Sequence, residues 1–123
     1  MAASVSSSAL LGIGDNVVDF YRDRGEFYPG GNALNVPVLA KRYGLARAGY
    51  IGLIGSDAEG AHVRDSLERE GIWIDRIRQA AGPNGKAVVS LDDKGDRVFL
   101  GSNKGGIQRA LSLRMDTEDI EAI

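Results

Sequence analysis

The sequence predicts an α/β protein: a mostly parallel sheet of short buried strands with helices on its flanks. Short apolar runs such as Ala9–Ile13 and Tyr50–Gly55 alternate with segments of helical spacing, and glycines stand between them as punctuation. Glycine is also abundant, 17 of 123 residues, about twice the usual share. Such a share suits tight turns and places where backbone approaches a ligand closely. With 43% hydrophobic and 26% charged residues, the chain has enough apolar surface for one globular core.

The elements follow in order. Residues 1–8, Ser-rich, read as a disordered tail, and residues 9–123 as one domain portion. Ala9–Gly14 is expected to be a first buried strand. Val17–Tyr21 and Glu26–Tyr28, on either side of Asp23-Arg24-Gly25, suit a hairpin. Behind the breaker Pro29-Gly30-Gly31, residues Val36, Leu39, Ala40 and Tyr43 recur at helical spacing. Gly44 stands where a C-terminal glycine belongs, and Pro37 is expected near the helix start. Tyr50–Gly55 reads as the second buried strand. Ser56 and Glu59 then form an S-x-x-E capping pattern, for a helix that turns Val63 and Leu67 inward and stops at Gly71. Ile72–Ile77 reads as a third strand, and Gly82–Gly85 as a turn. Lys86–Leu91 and Arg97–Leu100 flank Asp92–Asp96 as a hairpin. Asp116–Asp119 looks like an acidic helix N-terminus. A helix that starts there and ends at Ile123 is expected of a truncated βαβ unit, or, more plainly, of a short C-terminal helix packing on the sheet.

Composition narrows the function classes. A formal charge of −2 without a Lys/Arg block leaves no electrostatic footprint for nucleic acid or an anionic membrane. The run Ala9–Ile13 is far shorter than the roughly 18 apolar residues of a membrane span, and Met1–Ser8 lacks the basic start of a secretory signal. With no cysteine, disulfides, thiolate metal sites and thiol nucleophiles are excluded, and a cytoplasmic location is expected. Gly101 and Gly106 have P-loop spacing, but Ile107 stands where the lysine belongs. Gly12 and Gly14 open a dinucleotide pattern that Val17 breaks. His62, the single histidine, offers no metal cluster and reads as a plain surface residue.

What remains is a polar set at strand and helix ends. Asp15 and Asn16 follow the first strand, where open α/β sheets bind ligands. Asn32 and Asn35 bracket the helix start behind Gly30-Gly31, whose backbone a substrate can approach. A carboxylate that accepts, amides that do both and free N–H donors suit a polyhydroxy ligand. The plainer alternative is that Asp15 is a turn residue and Asn32 an N-cap.

Several runs occur in an order that resembles a known family. They are Gly12-Ile13-Gly14-Asp15-Asn16-Val17-Val18-Asp19, then Gly30-Gly31-Asn32-Ala33-Leu34-Asn35-Val36, Arg42-Tyr43-Gly44 and Gly52-Leu53-Ile54-Gly55-Ser56-Asp57. From about Leu11 onward the chain resembles the N-terminal half of the PfkB, or ribokinase-like, carbohydrate kinases, and within them it looks most like those acting on fructoselysine. The resemblance implies a ribokinase-like fold with a small β lid that includes Lys86–Leu100. It also implies a sugar or sugar–amine acceptor phosphorylated by Mg·ATP, with Asp15, Gly30, Gly31 and Asn35 as substrate-binding residues and Val89 and Phe99 as lid residues over the sugar. A homodimer through the lid fits the same pattern. The family's catalytic Gly-Ala-Gly-Asp block and ATP site belong to a later part of the chain, so no catalytic residue is assigned here and this polypeptide alone is expected to be inactive. A non-catalytic sugar-binding or regulatory module, or part of a nucleoside kinase, are the alternatives.

Overall fold

A computed structural model describes residues 8–123. The tail expected over residues 1–8 therefore lies, up to residue 7, outside the described residues.

Strand β1 (Ala9–Ile13) pairs in parallel with β4 (Arg47–Ile51), Leu11 opposite Gly49 and Ile13 opposite Ile51. Helix α1 (Asn32–Arg42) packs across both strands. The short β5 (Leu53–Ile54) pairs in parallel with β6 (Arg78–Gln79). A separate four-stranded sheet runs in the order β3 (Glu26–Gly30), β2 (Val17–Tyr21), β7 (Lys86–Leu91), β8 (Arg97–Ser102). Its β2–β7 pair is parallel and the other two pairs are antiparallel, so both expected hairpins exist and join into one lid-like sheet. Helix α2 (Ala58–Arg69) packs on β3 and β5, α3 (Gly106–Ala110) on β5, and α4 (Thr117–Ala122) follows. Val18, Leu34, Tyr50, Ile54, Val63 and Leu67 form the centre of the core, each at most 1% exposed. Burying an aliphatic side chain this fully contributes roughly 1.5–3 kcal/mol.

Local chemistry explains both long helices. The α1 end is a Schellman motif: Gly44, at φ 107°, donates to the Lys41 carbonyl and Leu45 to that of Ala40. Gly71 and Ile72 repeat this on Glu68 and Leu67 at the end of α2. The buried face of α1 differs from expectation. Val36, Leu39 and Tyr43 are 52%, 47% and 88% exposed, whereas Leu34 and Pro37 face inward. The reason lies in β1. A Cβ on Gly12 would stand 2.0 Å from the Ala33 carbonyl oxygen and 3.0 Å from the Pro37 ring. Pro37 sits a full turn further into the helix than expected, and its missing N–H frees the Ala33 carbonyl. That carbonyl and the proline ring take the space that Gly12 leaves open.

Other expectations shift for equally local reasons. The Tyr50–Gly55 strand is split at Gly52, where its pairing passes from β1 to β6 and the Tyr50 hydroxyl stands 2.0 Å from where a Gly52 Cβ would be. The cap of α2 is Asp57, which accepts from the Gly60 amide at 3.0 Å, while the Ser56 hydroxyl accepts from Gly82 instead. Ile72–Ile77 makes only a bridge, Trp73 to Gly49, before the chain turns. Strand β1 is half-exposed rather than buried, since β4 is its only strand partner among the described residues.

Candidate functional site

From the end of β1 the chain passes through Gly14 (φ 141°), Asp15 and Asn16 into β2, and its side chains part company there. Asn16 turns inward. Its amide donates to the Tyr50 hydroxyl at 3.0 Å and the Leu53 carbonyl at 2.8 Å. Its side-chain oxygen accepts from Asn84 at 3.1 Å and Gln108 at 2.9 Å. Asn84, fully buried, also donates to the Gly85 carbonyl and accepts from the Gly55 amide, both at 3.0 Å. Tyr50 donates to the Gly14 carbonyl. Burial pushes the Tyr50 phenol up to about 12; the Asn16 hydrogen bond opposes the rise and the Asp15 charge adds to it. This amide network fastens the ends of β1 and β5 to the loop before β7 and to α3. The sequence reading missed Asn84 and Gln108, because nothing local marks a loop asparagine as buried.

Asp15 turns outward and lines a cavity of about 330 Å³ with Leu53, Gln108 and Arg109. Gly31, at φ 97°, lies against the same turn: a Cβ there would be 3.0 Å from the Asp15 carbonyl oxygen and 3.1 Å from Asn16 Cα. Gly30 pairs with Val17 and lies beside Asp19, whose Oδ2 would be 3.6 Å from a Gly30 Cβ. The main chain of the Asp15 turn thus lies against Gly31, and the Asp19 carboxylate lies beside Gly30, while the Asp15 side chain lines a cavity that none of those three residues lines. Asp19 is the residue that the sequence reading passed over. Its signal was the alternation Val18/Phe20 against Val17/Asp19/Tyr21, which puts a carboxylate on the non-core face of a strand.

Arg97 of β8 reaches across to Asp19 at 3.4 Å. Tyr21 stands opposite Val89 and Val89 opposite Phe99, so these side chains share the Asp19 face of the lid sheet. Val89 is 2% exposed and packed within that face, whereas Phe99 is 66% exposed. Asn35 goes elsewhere. Its amide donates to the Gly31 carbonyl at 2.8 Å, but its side chain opens into the groove between α1 and α2, not into the Asp15 cavity. Asn32 is exposed and begins α1 after Gly31, so it is not the N-cap, and no side chain caps that helix. His62 is half-buried and lies tilted against the Phe27 ring of β3, contrary to the surface reading.

The N-termini of the other capped helices carry carboxylates of their own. Asp57 fills that of α2, and Asp116 and Asp119 form a capping box on α4. Asp119 is fully buried and held by Arg76 at 2.7 Å and by Arg78. The Asp116 amide, then Arg78 and Arg76, hold its carboxyl well below the usual carboxylate range. Among the described residues, no three His, Cys, Asp or Glu side chains gather as a metal ion would require, and no helix is long and apolar enough to cross a membrane.

Comparison with known proteins bears on this arrangement. The description "pfkB family carbohydrate kinase" matches residues 9–119. The chain is 54% identical over 114 residues to the fructosamine kinase FrlD of Bacillus subtilis (strain 168), covering 93% of this chain and 40% of that protein. It is 39% identical over 90 residues to the fructoselysine 6-kinase of Escherichia coli (strain K12), covering 73% and 34%. The fructokinase of Xylella fastidiosa with bound ATP superposes with a TM-score of 0.63 at 27% identity, over 77% of this chain and 32% of that one. The chain therefore spans about two fifths or less of the length of these relatives. With its parallel strands, flanking helices and separate lid-like sheet, it belongs to the pfkB family of carbohydrate kinases.

Proposed function

We propose that this chain is the acceptor-binding part of an ATP-dependent carbohydrate kinase whose substrate is a fructosamine of the fructoselysine type. The observation that carries the reading is the Asp19 carboxylate beside Gly30 at the end of the lid sheet, with the Asp15 turn lying against the Gly31 backbone. Carboxylates there accept hydrogen bonds from sugar hydroxyls, while the uncapped start of α1 leaves amide donors for sugar oxygens. Glycine at position 31 lets the acceptor lie directly on the backbone. The exposed Phe99 closes over the sugar from the lid, and Val89 backs it. Two such lids meeting face to face would give a homodimer. The identities with a fructosamine kinase and a fructoselysine 6-kinase support the acceptor class.

Mg·ATP is the group that the family implies. The residues described here do not fit it: no metal cluster gathers, and the N-termini of α2 and α4 carry carboxylates that repel phosphate. In the proposal ATP and magnesium are held by other parts of the kinase, and this polypeptide alone does not transfer phosphate. Without a phosphate cradle and metal, positioning and charge stabilisation of the transferred group are both missing. Calorimetric titration of the chain with fructoselysine, fructose, ribose and adenosine tests the acceptor. Saturable binding of the fructose-based compounds supports the reading, and preference for adenosine overturns it. Sugar-dependent ADP release by the purified chain would refute the predicted inactivity.

A further inference from the structure

The groove between α1 and α2, about 660 Å³ in volume, is separate from the Asp15 cavity. It begins at Pro29 and Asn35, beside the Gly30–Gly31 backbone, and runs along α1 to Arg42. From Asn35 to Arg42 the helix rises about 10 Å. Leu34 and Leu67, both 1% exposed, form an apolar floor with Val38. The far end is charged. Arg42 Nε lies 3.0 and 3.1 Å from the two Glu70 carboxylate oxygens, and 59% of the Arg42 side chain remains exposed. Along the wall, His62 Nε2 is buried and has no hydrogen-bond partner among the described residues. A buried polar atom left unpaired is rare and needs an explanation, for which a polar guest in the groove is a direct one.

These features form a sequence. Moving away from the glycine pair, a guest meets an amide at Asn35, an apolar floor with one unmet hydrogen bond, and then a cation beside an anion. A free hexose has nothing to match the last two. A sugar linked through an amine to an aliphatic amino acid has both: methylenes for the floor, and a carboxylate and an ammonium for Arg42 and Glu70. We propose that this groove is the subsite for the amine-borne amino-acid part of the acceptor, with His62 and the Arg42–Glu70 pair selecting it over the bare sugar. This rests on the fructosamine reading above and names which part of the chain recognises the non-sugar half.

Because His62 is the only histidine, its imidazole Nε2 gives one nitrogen signal, distinct from that of Nδ1, in an NMR titration of the chain. Fructoselysine is expected to shift that signal and to bind about tenfold tighter than fructose or more, from burial of its methylenes. Fructose is expected to bind without moving it. Arg42→Met should bring fructoselysine down to the affinity of fructose; Glu70→Gln serves the same purpose should the first variant not fold. Equal affinities for the two compounds, or fructoselysine binding with the His62 signal unmoved, overturn the groove assignment and leave the sugar site standing. Failure of both compounds to bind overturns the sugar site and the groove with it.

Discussion

Two sets of polar side chains leave the stretch from Gly14 to Asp19 in opposite directions, and they are built on opposite principles. Asn16 enters the interior, and its amide nitrogen and oxygen both find partners in Tyr50, Leu53, Asn84 and Gln108. Asp15 and Asp19 leave for the outer face; Asp15 stays exposed, and among the described residues Asp19 meets only a long contact to Arg97. A buried group left unpaired costs about 1–3 kcal/mol, so the inner set is satisfied in place and serves architecture. An outer group keeps its hydrogen-bonding capacity for whatever arrives. What separates a structural asparagine from an aspartate proposed to bind, three residues along, is which direction the backbone sends each side chain, more than its chemical type.

The largest effect is expected from breaking the inner set. Asn84→Leu removes a donor to Asn16 and Gly85 and an acceptor for the Gly55 amide. Stability should fall by about 3 kcal/mol or more, from several buried groups at 1–3 kcal/mol each. Urea unfolding measures this, and an unchanged midpoint would break the contrast between the two sets. Gly31→Val probes the place where they touch. A Cβ at φ 97° lies 3.0 Å from the Asp15 carbonyl oxygen, and strain of this kind costs roughly 1–3 kcal/mol. Sugar binding should be lost together with that stability; a variant that melts and binds like the parent would show that the close approach is irrelevant.

Smaller effects come from single titrating groups. The Tyr50 phenol is raised to about 12 in the fold, against about 10 in an unfolded chain. The stability tied to its neutral form is therefore complete below pH 10 and disappears as pH rises from 10 to 12. Tyr50→Phe should flatten that decline in alkaline unfolding curves, at a cost of about 1 kcal/mol near neutrality. Asp119 has the opposite sign. Its carboxyl is held below its unfolded value by the Asp116 amide, Arg78 and Arg76. The stability it contributes is present at neutral pH and is lost as acid protonates it. The protection factors of the α4 amides, which correct for the intrinsic pH dependence of exchange, should fall in acid, and Asp119→Asn should lower them at neutral pH. Protection that ignores both changes would mean that the arginine clasp does not hold α4.

Much of this architecture was legible because its causes are local. The Schellman ends at Gly44 and Gly71, the two hairpins and the acidic cap at Asp116 each depend on residues a few positions apart. What was misread depended on distant partners. The buried face of α1 turns on Gly12 in another element making room for the Ala33 carbonyl and Pro37. The break in the second strand falls where its pairing passes from β1 to β6. The candidate site shows the same division. The glycine pair and Asp15 were visible as a motif, whereas Asp19 gained its place from the pairing of β2 with β3 and from Arg97, 78 residues away. Asn35 was read with Asp15, and it lines the groove between α1 and α2 and not the cavity that Asp15 lines.

Fructoselysine titration of the Asp19→Asn variant beside the parent chain, by calorimetry with the melting of both recorded, tests the central claim most directly. That substitution keeps shape and removes charge at the carboxylate beside Gly30. The account predicts melting close to the parent's and binding weaker by about tenfold or more, the worth of a charged hydrogen bond. Binding equal to the parent's, with both proteins folded, would contradict it.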